Sequence, residues 1–281
     1  MISILDDDYR RILDLEVDQF GYSKFPSAIL EKDLLMVKLL GLLEVFNWGE
    51  CTAVFCGGTS LSKGYGLVER MSEDVDFKLQ LPQGSSRSQA RIRRRKLREG
   101  LAQYLRTAGF GMGEDPVVKN EGSYFYFPLS YQSRFPAIEV LRSEIKLEFI
   151  VRTPLLNTSK VEVRSLLFEY LGQEEAPIHF QAVDPQETLV EKVVAFLRRT
   201  ATWQDNGWPR NRPLHPDDER LVRHLYDVHQ SLQQPGVNTP ETKIERKRLF
   251  QKIVEDDKKQ PVRKDKLFQG NPIKRLGSSL E

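Results

Sequence analysis

Thiols and imidazoles are scarce in this 281-residue chain, which has two cysteines and four histidines. Cys51 and Cys56 flank the run TAVF, and a strand would send residues five apart to opposite faces. A disulfide scaffold is therefore excluded, and both read as reduced, buried thiols of a cytoplasmic protein. His179, His215, His224 and His229 show no metal spacing, and a zinc site would need two ligands beyond the thiols. No apolar run reaches the ~18 residues of a membrane span. The stretch MISILDDDYR is acidic where a secretory leader would be basic, so neither a membrane partner nor a leader is expected. An excess of one charge is also missing: 42 Lys and Arg stand against 40 Asp and Glu. That excludes a histone-like cation but not local basic patches. The phosphate-loop pattern GxxxxGK[ST], the dinucleotide pattern GxGxxG and internal repeats are absent as well.

What remains is an ordinary globular composition, 40% hydrophobic and 29% charged, long enough for one large domain or two moderate ones. Residues 26–47 have helical periodicity with a broad apolar face. CTAVFCGG reads as a buried strand running into a tight loop. Strands are expected at 75–81, 123–131 and 144–152, where apolar and polar residues alternate. Residues 86–107 form an amphipathic helix with a very basic face. Later, 186–200 and 217–233 read as helices, the second capped by Asp217 or Asp218, and the Pro-rich stretch 201–217 reads as a loop. The fold class expected is α+β: a mixed sheet flanked by helices over 1–180, then a helical domain over 181–281.

The chemistry concentrates in GGTSLSKGYGLVERMSEDVDF, residues 57–77. Gly57 and Gly58 permit a sharp turn and bring amide N–H groups near a ligand. Thr59, Ser60, Ser62 and Lys63 put hydroxyls and an ammonium where phosphate oxygens could be held. Asp74 and Asp76, two apart on a strand, project to one face. Two hard oxygen ligands on one face suit Mg²⁺, with phosphates and waters completing its octahedron. A DxD pair alone is common on solvated strands. The ordered combination of strand, glycine turn, spacer and second strand is far more specific.

This segment resembles motif I of the AbiEii/AbiGii toxin family, minimal nucleotidyltransferases of the DNA polymerase beta-type superfamily. EKDLL (31–35) resembles the family's N-terminal helix, and IKLEF (145–149) resembles its second motif. ETLVEKVVAF (187–196) and RHLYDV (223–228) resemble two C-terminal helical motifs. The resemblance covers roughly residues 30–230. It implies that Asp74, Asp76 and Glu148 bind Mg²⁺ (or Mn²⁺), and that Glu148 deprotonates or orients the acceptor hydroxyl. It implies that Gly57, Gly58, Thr59, Ser60 and Lys63 hold the triphosphate, with Lys146 neutralising phosphate or tuning Glu148. Lys192 would contact nucleotide phosphate from a helix. Asp227 matches the motif's more constant acid, against the plainer reading of a helix salt bridge to Arg223. The implied function is the toxin of a toxin–antitoxin or phage-defence pair, moving NMP from an NTP to a tRNA 3′ end and stopping translation. Its antitoxin would be encoded nearby, and a monomer is the favoured state. Two other readings stay open: a protein or small-molecule hydroxyl as acceptor, and a catalytically inactive nucleotide or RNA sensor.

Two basic tracks break the neutral balance. Residues 87–98 hold seven cations and no acid, and residues 243–275 hold twelve cations and five acids. Phosphate neutralisation supplies most non-specific nucleic-acid affinity, so Arg91, Arg93, Arg94, Arg95, Lys96 and Arg98 are candidate RNA contacts. Tyr124, Phe125, Tyr126, Trp203 and Trp208 are candidate stacking platforms for unpaired bases.

Overall fold

The computed structural model describes residues 5–18, 25–112, 116–139, 141–172, 176–206 and 221–259. In chain order its elements are α1 (Asp6–Asp18), α2 (Ser27–Glu44), β1 (Thr52–Cys56) and α3 (Gly57–Thr59), which continues as one π-helical turn, Ser60–Gly64. Then come β2 (Asp74–Gln80), α4 (Arg87–Thr107), β3 (Val117–Lys119), a 3₁₀ turn (Asn120–Gly122), β4 (Tyr124–Ser130), β5 (Glu144–Val151), β6 (Ser159–Val163), α5 (Leu166–Leu171) and β7 (Ile178–Ala182). The helices α6 (Pro185–Asn206), α7 (Val222–Gln233) and α8 (Pro240–Lys259) complete the described chain. It divides into two compact units, Met1–Thr153 with Thr158–Ala182, and Pro154–Asn157 with Val183–Glu281.

The first unit is built on a seven-stranded sheet, ordered β3-β4-β5-β2-β1-β7-β6. β2 pairs parallel with β5 and β1 with β7, while the other neighbours are antiparallel. The sheet is therefore mixed and flanked by helices, the α+β class read from the sequence. Strand alternation sets its faces: Phe55, Phe77, Phe125, Phe127 and Phe149 are fully buried, and Phe77 stacks on Phe149 at 5.6 Å. α2 is buried almost all round, its apolar residues together with Glu31, Lys32 and Asp33. α4 starts at a capping box: Gln89 N donates to Ser86 Oγ at 3.2 Å and Ser86 N donates to Gln89 Oε1 at 2.9 Å. Cys51 is half-buried and Cys56 buried, and neither forms a disulfide.

In the second unit, Val190, Val194 and Leu197 of α6 pack with Leu249, Ile253 and Val254 of α8. α8 occupies part of the track read only as polar and basic, because its apolar residues recur at helical spacing. α6 continues to Asn206, through a stretch read as loop. The reason is local: ATWQDN holds no glycine or proline to end the helix. The expected caps Asp217 and Asp218 lie outside the described residues. Among the described residues no helix is long and apolar enough to cross a membrane.

Candidate active site

One face of the sheet collects the carboxylates. Asp74 lies opposite Lys146 and Asp76 opposite Glu148 across the parallel β2–β5 pair. In-register neighbours project to the same side, so these four share a face. β4 adds Tyr126, opposite Glu148, and Tyr124 two residues before it. Phe125, read as a base platform, belongs instead to the core: alternation turns it away, and its ring stacks on Phe149 at 5.0 Å. The side chain of Trp203, and Trp208, lie outside the described residues.

Each of these polar groups is held. Tyr124 Oη donates to Glu148 Oε2 at 2.6 Å. Lys146 Nζ forms an ion pair with Glu148 Oε1 and sits 4.5 Å from the centre of the Tyr126 ring. Arg142, in the loop before β5, grips Asp74 with both prongs: Nη1 donates to Oδ1 at 2.8 Å and Nη2 to Oδ2 at 3.2 Å. Burial pushes the Asp74 carboxyl above its ordinary value and Glu148 adds to this, against the pull of Arg142. Burial works to lower the Lys146 ammonium, but Glu148 with Asp74 and Asp76 together outweigh it and the net shift is upward. Burial and then Glu148 raise the Tyr124 phenol far above its usual range, so it stays a donor.

The glycine turn is built against Asp76. Gly57 opens the turn at φ +78°, in the left-handed region, and a Cβ there would lie 2.8 Å from Asp76 Cγ. Only glycine allows this approach. Thr59 and Ser60 are fully buried. Thr59 Oγ1 donates to the Asp74 carbonyl, tying the turn to β2, and Ser60 Oγ donates to Gly57 O at 3.0 Å. Their hydroxyls thus shape the turn, and the first amides of a helix are the groups left without intrahelical partners for phosphate. Lys63 is anchored too, in an ion pair with Asp33 and a 3.2 Å bond to Arg164 O. It borders a cavity of about 550 Å³ with Ser62, Arg70, Ser72 and Arg164.

The EKDLL stretch, matched to the family's N-terminal helix but given no role from the sequence, lies behind the site. Glu31, Lys32 and Asp33 of α2 are at most 1% exposed. Consecutive helical residues point about 100° apart, so each reaches a different segment. Glu31 accepts from Arg134 N at 2.8 Å and from Ser133 Oγ. Lys32 Nζ donates to Glu73 Oε1 and to Arg142 O, both at 2.8 Å, and Arg142 N donates to Glu73 Oε1 at 2.8 Å. Asp33 accepts from Leu166 N at 2.7 Å, at the start of α5. A signal was present: three successive charges interrupt an otherwise apolar helix.

In the second unit, Lys192 of α6 and Asp227 of α7 form a pair at 2.8 Å, with side chains 10% and 0% exposed. On α4, Arg91, Arg94, Arg95 and Arg98 line an open groove of about 1280 Å³ with Lys119. Arg93 turns elsewhere, to Glu50 at 2.8 Å, and Lys96 is not part of the groove lining. Arg98 lies over the Phe125 ring at 5.9 Å.

The family model of the AbiEii nucleotidyl transferase toxins of type IV toxin–antitoxin systems matches residues 42–280. The chain belongs to the AbiEii family. It is a transferase of the toxin–antitoxin type. Among solved structures it is similar to MenT4, a nucleotidyltransferase toxin of Mycobacterium tuberculosis H37Rv. The two are 18% identical over 96% of this chain and 97% of that one, at a TM-score of 0.43. No curated protein matches the sequence.

Such transferases work with a divalent cation, and the donor set here fits one. Three carboxylates come from two adjacent strands, Asp76 presses into a cradle that a Cβ would fill, and Asp74 is raised by burial and a neighbouring carboxylate. As the side chains stand, no three acidic, histidine or cysteine groups are gathered as a metal cage among the described residues. Instead Arg142 bonds Asp74, and Tyr124 and Lys146 bond Glu148.

Proposed function

We propose that this AbiEii member transfers a nucleoside monophosphate from a nucleoside triphosphate to an RNA hydroxyl, with the tRNA 3′ end as acceptor, and so blocks translation until an antitoxin encoded beside it intervenes. The observation that carries this reading is the β2–β5 register, which sets Glu148 beside Asp76 and Asp74 on one face. Main-chain amides of the Gly57–Gly58 turn hold the phosphates. Asp74, Asp76 and Glu148 would hold Mg²⁺ or Mn²⁺, which when bound screens the triphosphate charge and acidifies the acceptor hydroxyl. Tyr124 and Lys146 fix the orientation of the Glu148 carboxylate, which receives the acceptor's proton. The acceptor oxygen bonds to the α-phosphorus, the α–β phosphoanhydride bond breaks, and pyrophosphate leaves. The arginine groove on α4 supports a polyanionic acceptor, since a small hydroxyl substrate needs no such surface.

The test is incubation of the protein with each labelled triphosphate and total RNA. Label is expected at the 3′ end of a small RNA species. Asp74→Ala is expected to lower its rate roughly a hundred- to a thousandfold and to relieve growth inhibition. Label in protein or in a free small product, with none in RNA, would overturn the acceptor. Equal growth inhibition by Asp74→Ala and wild type would overturn catalysis as the activity.

A further inference from the structure

We propose that Arg142 is a resident counter-ion that occupies Asp74 in competition with the divalent cation, and that its guanidinium moves to the triphosphate when the substrate binds. This rests on the reading of Asp74 as a metal ligand. Both oxygens of Asp74 are engaged by the guanidinium fork. A divalent cation on the same two oxygens would meet both the bulk and the like charge of that fork. The carboxylate shares its face of the sheet with Glu148, across the β2–β5 pair. Arg142 is the cation bonded to Asp74, while the Lys146 ammonium opposite is paired with Glu148.

The anchoring of Arg142 is what allows an exchange. Its main-chain N–H donates to Glu73 and its carbonyl accepts from Lys32, each at 2.8 Å. Lys32 and Glu73 are themselves paired and nearly inaccessible. The Cα of Arg142 is thereby fixed whichever partner the side chain takes. The side chain is a long arm, 20% exposed, on a fixed pivot. A guanidinium released beside a bound triphosphate has a second bidentate partner at hand, because phosphate and carboxylate present the same fork. Its pivot is bonded to Glu73, the residue before Asp74, so the loop is tied to the start of β2. The competing possibility is a permanent prop that merely orients Asp74. The two differ in sign: removing a competitor tightens cation binding, whereas removing a prop weakens it.

The experiment is Mn²⁺ binding to the full chain, followed by electron paramagnetic resonance without nucleotide, for wild type, Arg142→Ala, Arg142→Gln and Asp74→Asn. Arg142→Ala is expected to bind Mn²⁺ about tenfold more tightly than wild type. Arg142→Gln, which keeps hydrogen bonding but drops the charge, should shift in the same direction. Binding of a non-hydrolysable triphosphate analogue should weaken about tenfold in both variants. Since the anchors to Lys32 and Glu73 are main-chain, circular dichroism of both variants should match wild type. Unchanged or weaker Mn²⁺ binding by both folded variants overturns the exchange while leaving the transferase reading intact. Failure of wild type and variants alike to bind Mn²⁺, even with the analogue present, or undiminished binding by Asp74→Asn, overturns the metal reading and the exchange with it.

Discussion

On the polar face of the sheet, Asp74 meets Arg142, Glu148 meets Lys146 and Tyr124, and behind them Lys32 meets Glu73. On α4 the sides are uneven. Among the described residues Arg91 and Arg98 have no acidic partner, and the pairs that do form there are exposed, such as Arg95 with Glu99 at 3.8 Å. Burial, with the like charge of Arg98, pulls Arg94 below its ordinary value against the pull of Glu121. The difference follows from solvent. A charge taken out of water must find a partner, whereas water can carry a row of exposed guanidiniums. Like charges three and four residues apart still cost a helix about 0.2–0.5 kcal/mol per pair. The first cluster is half-buried or buried with its counter-charges, and the cation-rich face of α4 is the surface proposed for an outside polyanion.

If that contrast holds, the largest effect comes from breaking an internal pair. Lys32→Met removes the buried cation paired with Glu73, whose side chain is 3% exposed, and leaves it the Arg142 N–H. It should cost about 3–5 kcal/mol. Lys32→Met combined with Glu73→Leu should recover much of that loss, because no buried charge then lacks its counter-charge. Urea unfolding of both variants checks it. A single variant as stable as wild type would mean that this cluster is no better tied than the surface of α4.

How much of this the sequence disclosed depends on the kind of interaction. The carboxylate face was legible because strand alternation is a local rule: Asp74, Asp76, Lys146 and Glu148 each sit two apart on their strands, and the glycine turn announces itself. Alternation also supplied the means to place Phe125 in the core, but its aromatic neighbours Tyr124 and Tyr126 made the run look like a stacking platform. Arg142 was not legible at all. It lies in an irregular loop without periodicity, and its partners Asp74 and Lys32 are 68 and 110 residues away. Lys32 was quoted within EKDLL, but its burial was not read from the sequence, since lysine on a helix is usually solvated. Asp227 bonds Lys192 of another helix, a pairing that tertiary packing creates and helix spacing does not announce.

A smaller effect tests whether the partnered cluster depends on backbone shape as well as charge. Gly57→Ala keeps every charged residue but puts a methyl group into the space of the Asp76 carboxylate, at a positive φ. Strain of this kind costs about 1–3 kcal/mol. The displaced carboxylate should lower transfer activity more than it lowers stability. Parallel melting curves and single-turnover rates check this; a stability loss with full activity would detach the turn from the site.

The smallest effect on stability, and the sharpest test of the contrast, belongs to α4. Arg91→Gln with Arg98→Gln removes two groove charges that have no acidic partner among the described residues. Relief of repulsion along the helix should leave stability unchanged or slightly raised, within about 0.5 kcal/mol. RNA affinity should fall, and because each neutralised phosphate releases a counterion, the slope of log K against log salt should become shallower by about one for each lost contact. The two readouts move independently, which is what separates a binding surface from a structural one. A clear stability loss with an unchanged salt slope would mean that these arginines serve the fold, and the groove would lose its claim to a polyanion.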